Sequence, residues 1–205
     1  MAIWTDHLLP RVISVALNTK HARAVRARVC QDLTGDVLEI GAGSGLNVPF
    51  YPPTVTGVWT VEPSPFARKL AAKRIAATSI PVEYAGLDGQ RLDLPDDRFD
   101  AALSTWTLCT IPDVDAALAE IRRVLKPGGT FRFVEHGRAP DAKIARRQNR
   151  FEPLHSRVSG GCRVTREFPD LIERAGFTIK EADHYYMPGD PKYAGYMTEG
   201  WALKS

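Results

Sequence analysis

The sequence predicts an open α/β fold, a mostly parallel seven-stranded sheet with helices on both faces, an antiparallel C-terminal hairpin and an N-terminal helical cap. Three observations lead there. Short β-rich runs alternate with helical ones between residues 37 and 135, a pattern that favours parallel strands joined by crossover helices. The first run flows into a glycine-rich loop, "EIGAGSGLN" at 39–47. The last two β-rich runs are joined by Pro188-Gly189-Asp190-Pro191, turn residues that suit a hairpin at a sheet edge.

Taken in order, the elements begin with Trp4, Leu8, Leu9, Val12, Ile13 and Ala16, which recur near helical spacing and predict an amphipathic helix over 4–16. Such a helix can pack on the sheet, act as a lid over a site, or lie on a membrane surface. Residues 37–40, 55–61, 82–84, 101–105 and 130–135 read as strands, with helices at 65–77 and 113–125. The helix at 113–125 can be capped by Asp113 or Asp115 and shows Ala117, Leu118, Ile121 and Leu125 on one face. Lys126-Pro127-Gly128-Gly129 ends it. Beyond 135 the reading is a helix at 141–157, a "SGG" turn, a helix at 165–175, and strands at 177–185 and 193–203.

Composition narrows the class. A chain of 205 residues, 44% apolar and 25% charged, suits one domain with a substantial core. A net charge of +3 is too small to imply a nucleic-acid partner, and the basic stretch at 143–150 ("KIARRQNR") reads as a solvated helical face. Cys30, Cys109 and Cys162 are odd in number and show no C-x-x-C spacing, so neither a disulfide framework nor a structural zinc site is indicated, and no metal is expected. Asp6, His7, Pro10 and Arg11 interrupt the N-terminal apolar stretch, so neither a signal peptide nor a stable membrane span is expected there. The expectation is a cytoplasmic protein, with peripheral membrane contact through the first helix left open and the oligomeric state unknown.

Open α/β sheets bind ligands at the carboxyl ends of their strands, beside the point where strand order reverses. A phosphate-binding loop would end in Gly-Lys-Ser/Thr, and Ser44-Gly45-Leu46-Asn47 has no lysine. A dinucleotide loop wants Gly-x-Gly-x-x-Gly, whereas Gly41, Gly43 and Gly45 are spaced G-x-G-x-G. Glu62 closes the second strand, where a carboxylate can accept both hydroxyls of a ribose, and Asp88-Gly89 follows the third.

This combination resembles the class I S-adenosylmethionine (SAM)-dependent methyltransferases, with their Rossmann-like sheet, over about residues 35–135. The resemblance implies SAM as cofactor and S-adenosylhomocysteine as product. It places Glu39, Gly41, Ala42, Gly43 and Asn47 around the amino-acid part, Glu62 and Pro63 at the ribose, Asp88 and Gly89 at the adenine, and Ser104 and Thr105 near the sulfonium. "LKPGGTF" at 125–131 is a further family feature that shapes the turn before the fifth strand. The implied organisation is a single methyltransferase domain over 1–205, with a cap or lid at 1–34, a SAM-binding half at 35–135 and an acceptor-side half at 136–205.

Nucleobase methyltransferases place Asn/Asp-Pro-Pro-Tyr/Phe after the fourth strand; here that place reads Ser104-Thr105-Trp106-Thr107-Leu108-Cys109, which disfavours a nucleobase. "FYPP" at 50–53, "LC" at 108–109, "EH" at 135–136, "GC" at 161–162, "TRE" at 165–167 and "GY" at 195–196 resemble the methyltransferase-like family that includes the mammalian alkyl-thiol methyltransferases. That resemblance implies a small apolar acceptor, a thiol or sulfide. Those relatives begin with an apolar membrane anchor, and residues 4–16 depart from it. Methylation at O, N or C of a lipid headgroup, quinone precursor or secondary metabolite therefore stays open, as does a catalytically silent SAM-binding protein.

Methyl transfer from a sulfonium is an in-line displacement, in which orientation alone can supply ~7–11 kcal/mol and a base is needed only if the acceptor holds its proton. His136, directly after the fifth strand, is the candidate to take or orient that proton. Glu135 can orient His136 or secure the following loop. Trp106 and Trp4 are candidates for an aromatic wall, and Arg166 either meets an anionic acceptor or starts a helix. Cys109 reads as a small buried residue near the pocket rather than a nucleophile.

Overall fold

In the computed structural model, which describes residues 7–205, one mixed sheet organises the chain. Its strands are β1 (Gly35–Ile40), β2 (Val55–Val61), β3 (Val82–Gly86), β4 (Phe99–Thr105), β5 (Leu125–His136), β6 (Phe177–Tyr186) and β7 (Tyr196–Lys204). The helices are α1 (Leu9–Ala16), α2 (Lys20–Cys30), α3 (Pro65–Ile75), α4 (Val114–Val124), α5 (Ala142–Val158) and α6 (Phe168–Arg174).

The strand order is β3-β2-β1-β4-β5-β7-β6. Strands β1 to β5 pair in parallel, and β7 runs antiparallel between β5 and β6. Order reverses between β1 and β4, so the carboxyl ends of those two strands flank the crevice where such sheets bind ligands. This is the predicted sheet, with its C-terminal hairpin.

Strand alternation builds a core on each face. Leu38, Ala102, Phe131 and Phe133 point to one side, against Leu118 and Ile121 of α4 and Phe168 and Ile172 of α6. Val37, Ala101, Leu103 and Val134 point to the other, against Val25 and Val29 of α2. Full burial of each of the Val, Leu, Ile and Phe side chains among these contributes roughly 1.5–3 kcal/mol. Asp113 caps α4 by accepting from the Ala116 N–H at 3.0 Å, as its position predicts.

Several boundaries differ from the sequence reading; β5 starts at Leu125 rather than 130, because Leu125 already pairs with Phe99 of β4, which ends α4 at Val124. The N-terminal region holds two helices, and α2 was not expected, because Lys20, His21, Arg23 and Arg28 dilute the apolar stripe of Ala22, Val25 and Val29; Thr19 caps it by accepting from the Ala22 N–H at 3.2 Å. Helix α6 starts at Phe168 rather than 165, since the Thr165 N–H and hydroxyl both donate to Glu152 and the Arg166 guanidinium is engaged elsewhere. Strand β7 starts at Tyr196 rather than 193, since Ala194 and Gly195 both donate to the Pro191 carbonyl in a turn. Among the described residues, no helix is long and apolar enough to cross a membrane.

Candidate active site

The loop after β1 holds Gly41, Gly43 and Gly45 at φ values of 75°, 54° and 73°. The three positions answer different needs. A Cβ on Gly41 would stand 2.3 Å from the Thr107 side chain, and one on Gly45 would stand 3.1 Å from Ala71 Cβ of α3, so both glycines answer to close packing of the loop against its neighbours. A Cβ on Gly43 would meet nothing within 4 Å. Its backbone faces a cavity of about 670 Å³.

That cavity lies over the β1/β4 switch point. Residues 41–44 form one wall, 62–64 after β2 and 87–90 after β3 form a second, and 105–107 after β4 form the floor, with Arg26 beside them. Leu9, Pro10, Ile13 and Leu17 of the α1 region roof it, and Gly160 and Gly161 close the far end. Of the predicted residues, Gly41, Ala42, Gly43, Glu62, Pro63, Asp88, Gly89, Thr105 and Trp106 line the cavity. Glu39, Asn47, Ser104, Cys109, Glu135, His136 and Arg166 do not. Trp4 lies outside the described residues.

Glu62 is buried at the wall. Its Oε2 accepts from the Gly43 N–H and its Oε1 from the Ser64 N–H, each at 2.8 Å. Burial raises its pKa above the ordinary carboxylate range, a shift that these two N–H groups partly oppose. Asp88 sits at the rim, exposed, with Oδ1 accepting from the side chain and backbone N–H of Gln90 at 2.9 Å; those bonds hold its pKa down.

Glu39 and Asn47 stand beneath the wall in a buried network rather than on its surface. Glu39 accepts from the Tyr51 hydroxyl and from Asn47 Nδ2 at 2.6 Å. Asn47 Oδ1 in turn accepts from Arg26 Nη1 at 2.6 Å, and the same Nη1 donates to Thr105 Oγ1 at 2.9 Å. Burial pushes the Arg26 guanidinium down to about 10, which leaves it a cation at neutral pH. Its Nε is buried with no hydrogen-bond partner. The sequence reading missed Arg26 entirely. The available signal was a charge four residues after Ala22 and three before Val29, on the apolar side of its helix.

Trp106 is held at φ 53°, a backbone conformation uncommon for a bulky residue, and its Nε1 donates to Met197 Sδ at 3.3 Å. The loop that follows is anchored from behind. Glu135 accepts from Ser104 Oγ at 2.7 Å, from the N–H groups of Thr107 and Leu108 at 3.2 and 3.0 Å, and from the Cys109 N–H at 3.1 Å. Arg166 donates to the carbonyls of Leu108, Ile111 and Pro112. Ser104, Glu135 and Arg166 thus shape the cavity's floor without reaching it. His136 turns its Nδ1 toward Cys109 and Cys162, 3.6 and 3.7 Å from their sulfurs, and does not line the cavity. Among the described residues, the ionisable side chains lining the cavity are Arg26, Glu62 and Asp88.

Residues 38–133 match the family described as methyltransferase domain. The chain is 35% identical over 147 residues to thiol S-methyltransferase TMT1B of Rattus norvegicus, a match covering 69% of this chain and 59% of that protein. It is 32% identical over 172 residues to thiol S-methyltransferase TMT1A of Homo sapiens, covering 82% of this chain and 70% of that one. Among solved structures, a putative methyltransferase from Bacillus halodurans superposes with a TM-score of 0.74 at 17% identity, over 89% of this chain and 98% of the other. That last likeness concerns the fold.

Proposed function

The chain belongs to the class I SAM-dependent methyltransferases, whose cofactor is S-adenosylmethionine, and from that premise we propose that it transfers the methyl group of SAM to a small apolar thiol. The cavity's own chemistry suits the cofactor. An open backbone at Gly43, a buried carboxylate at Glu62 and a buried cation at Arg26 complement a ligand that carries hydroxyls, an ammonium and a carboxylate. In this reading Glu62 takes the ribose hydroxyls, Asp88 the adenine amino group, and Arg26 the methionine carboxylate. Pro63 and Leu87, at the rim, flank the base. Glu39 and Asn47 hold Arg26 in place rather than touching the cofactor.

SAM when bound supplies an electrophilic methyl group; the protein's part is to hold the acceptor in line behind it and keep water away. The apolar side chains of Leu9, Ile13 and Leu17 serve that exclusion. The observation that carries the choice of acceptor is the similarity to thiol S-methyltransferases, which extends across 82% of the chain in the human match and so beyond the 38–133 core. A second feature supports it. The three ionisable groups on the described wall are all assigned to the cofactor, which leaves no general base for an alcohol. A thiol with a pKa of ~8.5 is a few per cent thiolate at neutral pH and needs none. Such an acceptor would have lost its proton to solvent before transfer, so the side chains lining the cavity would have only to orient it behind the methyl group of bound SAM.

The test is incubation of the purified protein with methyl-labelled SAM and a panel of alkyl thiols, aryl thiols, phenols and amines. Thioether and S-adenosylhomocysteine are expected in equal amounts from the apolar thiols. Turnover confined to phenols or amines would replace the thiol reading, and cofactor binding with no turnover of any class would leave a silent SAM-binding protein.

A further inference from the structure

Cys109, His136 and Cys162 come from three separate segments, the loop after β4, the last residue of β5 and the loop after α5. They meet behind the cavity's far wall, beside Thr110, Ile111, Gly160 and Gly161. The His136 Nδ1 stands 3.6 Å from Cys109 Sγ and 3.7 Å from Cys162 Sγ, and the sulfurs are 3.5 Å apart. Both cysteines are buried and His136 is half-buried.

We propose that these three side chains form a binding site for one zinc ion. Tetrahedral zinc, with bonds of ~2.3 Å to sulfur and ~2.0–2.1 Å to nitrogen, requires neighbouring donors about 3.5–3.8 Å apart. The near-equilateral triangle of Sγ, Sγ and Nδ1 already has those edges. Without a metal the same triangle is a hydrogen-bonded chain, the Cys162 thiol donating to Cys109 Sγ and the Cys109 thiol to His136 Nδ1, and metal analysis separates that arrangement from a bound ion. Two thiolates and a neutral imidazole around Zn²⁺ sum to zero charge, so the assembly tolerates burial, and binding releases the two thiol protons to solvent.

The surroundings are already tied for this purpose. The Cys109 N–H donates to Glu135, and the Cys109 carbonyl accepts from the Arg163 N–H at 2.9 Å, joining the two cysteine segments. A Cβ on Gly161 would come within 2.9 Å of the Thr110 carbonyl, so these loops pack backbone to backbone. Three protein ligands leave a fourth position for water. An ion here would pin together the two loops that form the acceptor end of the cavity. Cysteine spacing gave no hint of it, since the histidine lies 27 and 26 residues from its sulfur partners and the site exists only once the sheet has formed.

The test uses the full chain expressed with zinc in the medium, purified with a non-thiol reductant and analysed for metal by mass spectrometry. About one zinc per chain is expected, falling to background in C109S, C162S and His136→Gln. Cobalt substitution should give a thiolate-to-cobalt charge-transfer band and intense tetrahedral visible bands, lost in the same variants. Should a variant fail to fold, the wild-type protein decides alone, by chelator extraction followed by zinc titration against a chromophoric competitor. Overturning results are wild-type protein with background zinc and no cobalt bands, or a Cys109–Cys162 disulfide in protein isolated under reductant.

Discussion

The guanidinium of Arg26 lies 4.7 Å over the Trp106 ring, so that a residue of α2 and the residue following β4 together make the floor of the cavity. The contact keeps a cation buried beside the glycine loop, where the proposed function needs a partner for a carboxylate. Arg26→Met should weaken SAM binding by ~10–100-fold, the loss of one charge-assisted hydrogen bond worth ~1.5–3 kcal/mol. Arg26→Lys keeps the charge without the planar fork and should fall between. Calorimetric titration with SAM checks this, and unaltered affinity in Arg26→Met would remove Arg26 from the cofactor site.

Gly41 and Gly43 separate stability from binding. Gly43→Ala meets open space, so its cost to folding is the left-handed backbone, ~1–2 kcal/mol, while its methyl group intrudes on the cofactor. Expected are a small drop in melting temperature and a loss of SAM affinity of at least about tenfold. Gly41→Ala adds a collision with Thr107 to the same backbone strain and should lose more stability than Gly43→Ala. Melting temperatures that ranked the two variants the other way would contradict the assignment of roles.

If Glu62 holds the cofactor as proposed, SAM binding should be sensitive to acid. Burial raises its folded pKa above the unfolded value of ~4.3, so between those two values the folded protein binds the proton more tightly. This group's contribution to folding stability therefore declines as pH rises through that window, whereas in the proposed function the ionised form is the one that would accept ribose hydroxyls. SAM affinity should fall as pH drops through the raised pKa, at milder acidity than an exposed glutamate would give. Glu62→Gln should bind more weakly at neutral pH and lose this acid limb. A dissociation constant measured from about pH 7 down to about pH 4.5 tests it, and an identical acid limb in the glutamine variant would assign the titration to another group.

The sheet and its order of elements were legible because short β-rich runs alternating with helical ones and the G-x-G-x-G loop are local signals, written in consecutive residues such as 37–45. That Glu62, Asp88 and Gly43 line one cavity was legible for the same reason, each lying within three residues of the end of a strand whose position the pattern fixes. Arg26 and α2 were not, because a helix with a basic majority reads as solvent-facing until the sheet buries one side of it. The acceptor side failed differently. Strand ends bring Glu135 and His136 to the carboxyl edge, but which way each side chain turns depends on the 107–109 backbone and on Cys162, contacts made across 26 to 28 positions of sequence.

Glu135 offers the sharpest distinction between anchoring a loop and assisting chemistry. Its carboxylate is fully buried and accepts from three consecutive N–H groups, those of Thr107, Leu108 and Cys109, besides the Ser104 hydroxyl. Glu135→Ala strands these donors away from water, at ~1–3 kcal/mol for each that stays unpaired, so roughly 3–6 kcal/mol of stability should be lost after partial relaxation. Glu135→Gln replaces one acceptor oxygen by a donor and should cost about 1–3 kcal/mol. Because the loop carries Thr107, Thr110 and Ile111 into the cavity wall, KM for the acceptor should rise in the glutamine variant more than the dissociation constant for SAM does. Denaturant unfolding and steady-state kinetics measure the two effects together. Were Glu135 instead the orienting partner of a catalytic His136, the glutamine variant would keep near wild-type stability and shift the pH profile of kcat; unfolding at an unchanged denaturant midpoint with a displaced profile would support that role over the anchor.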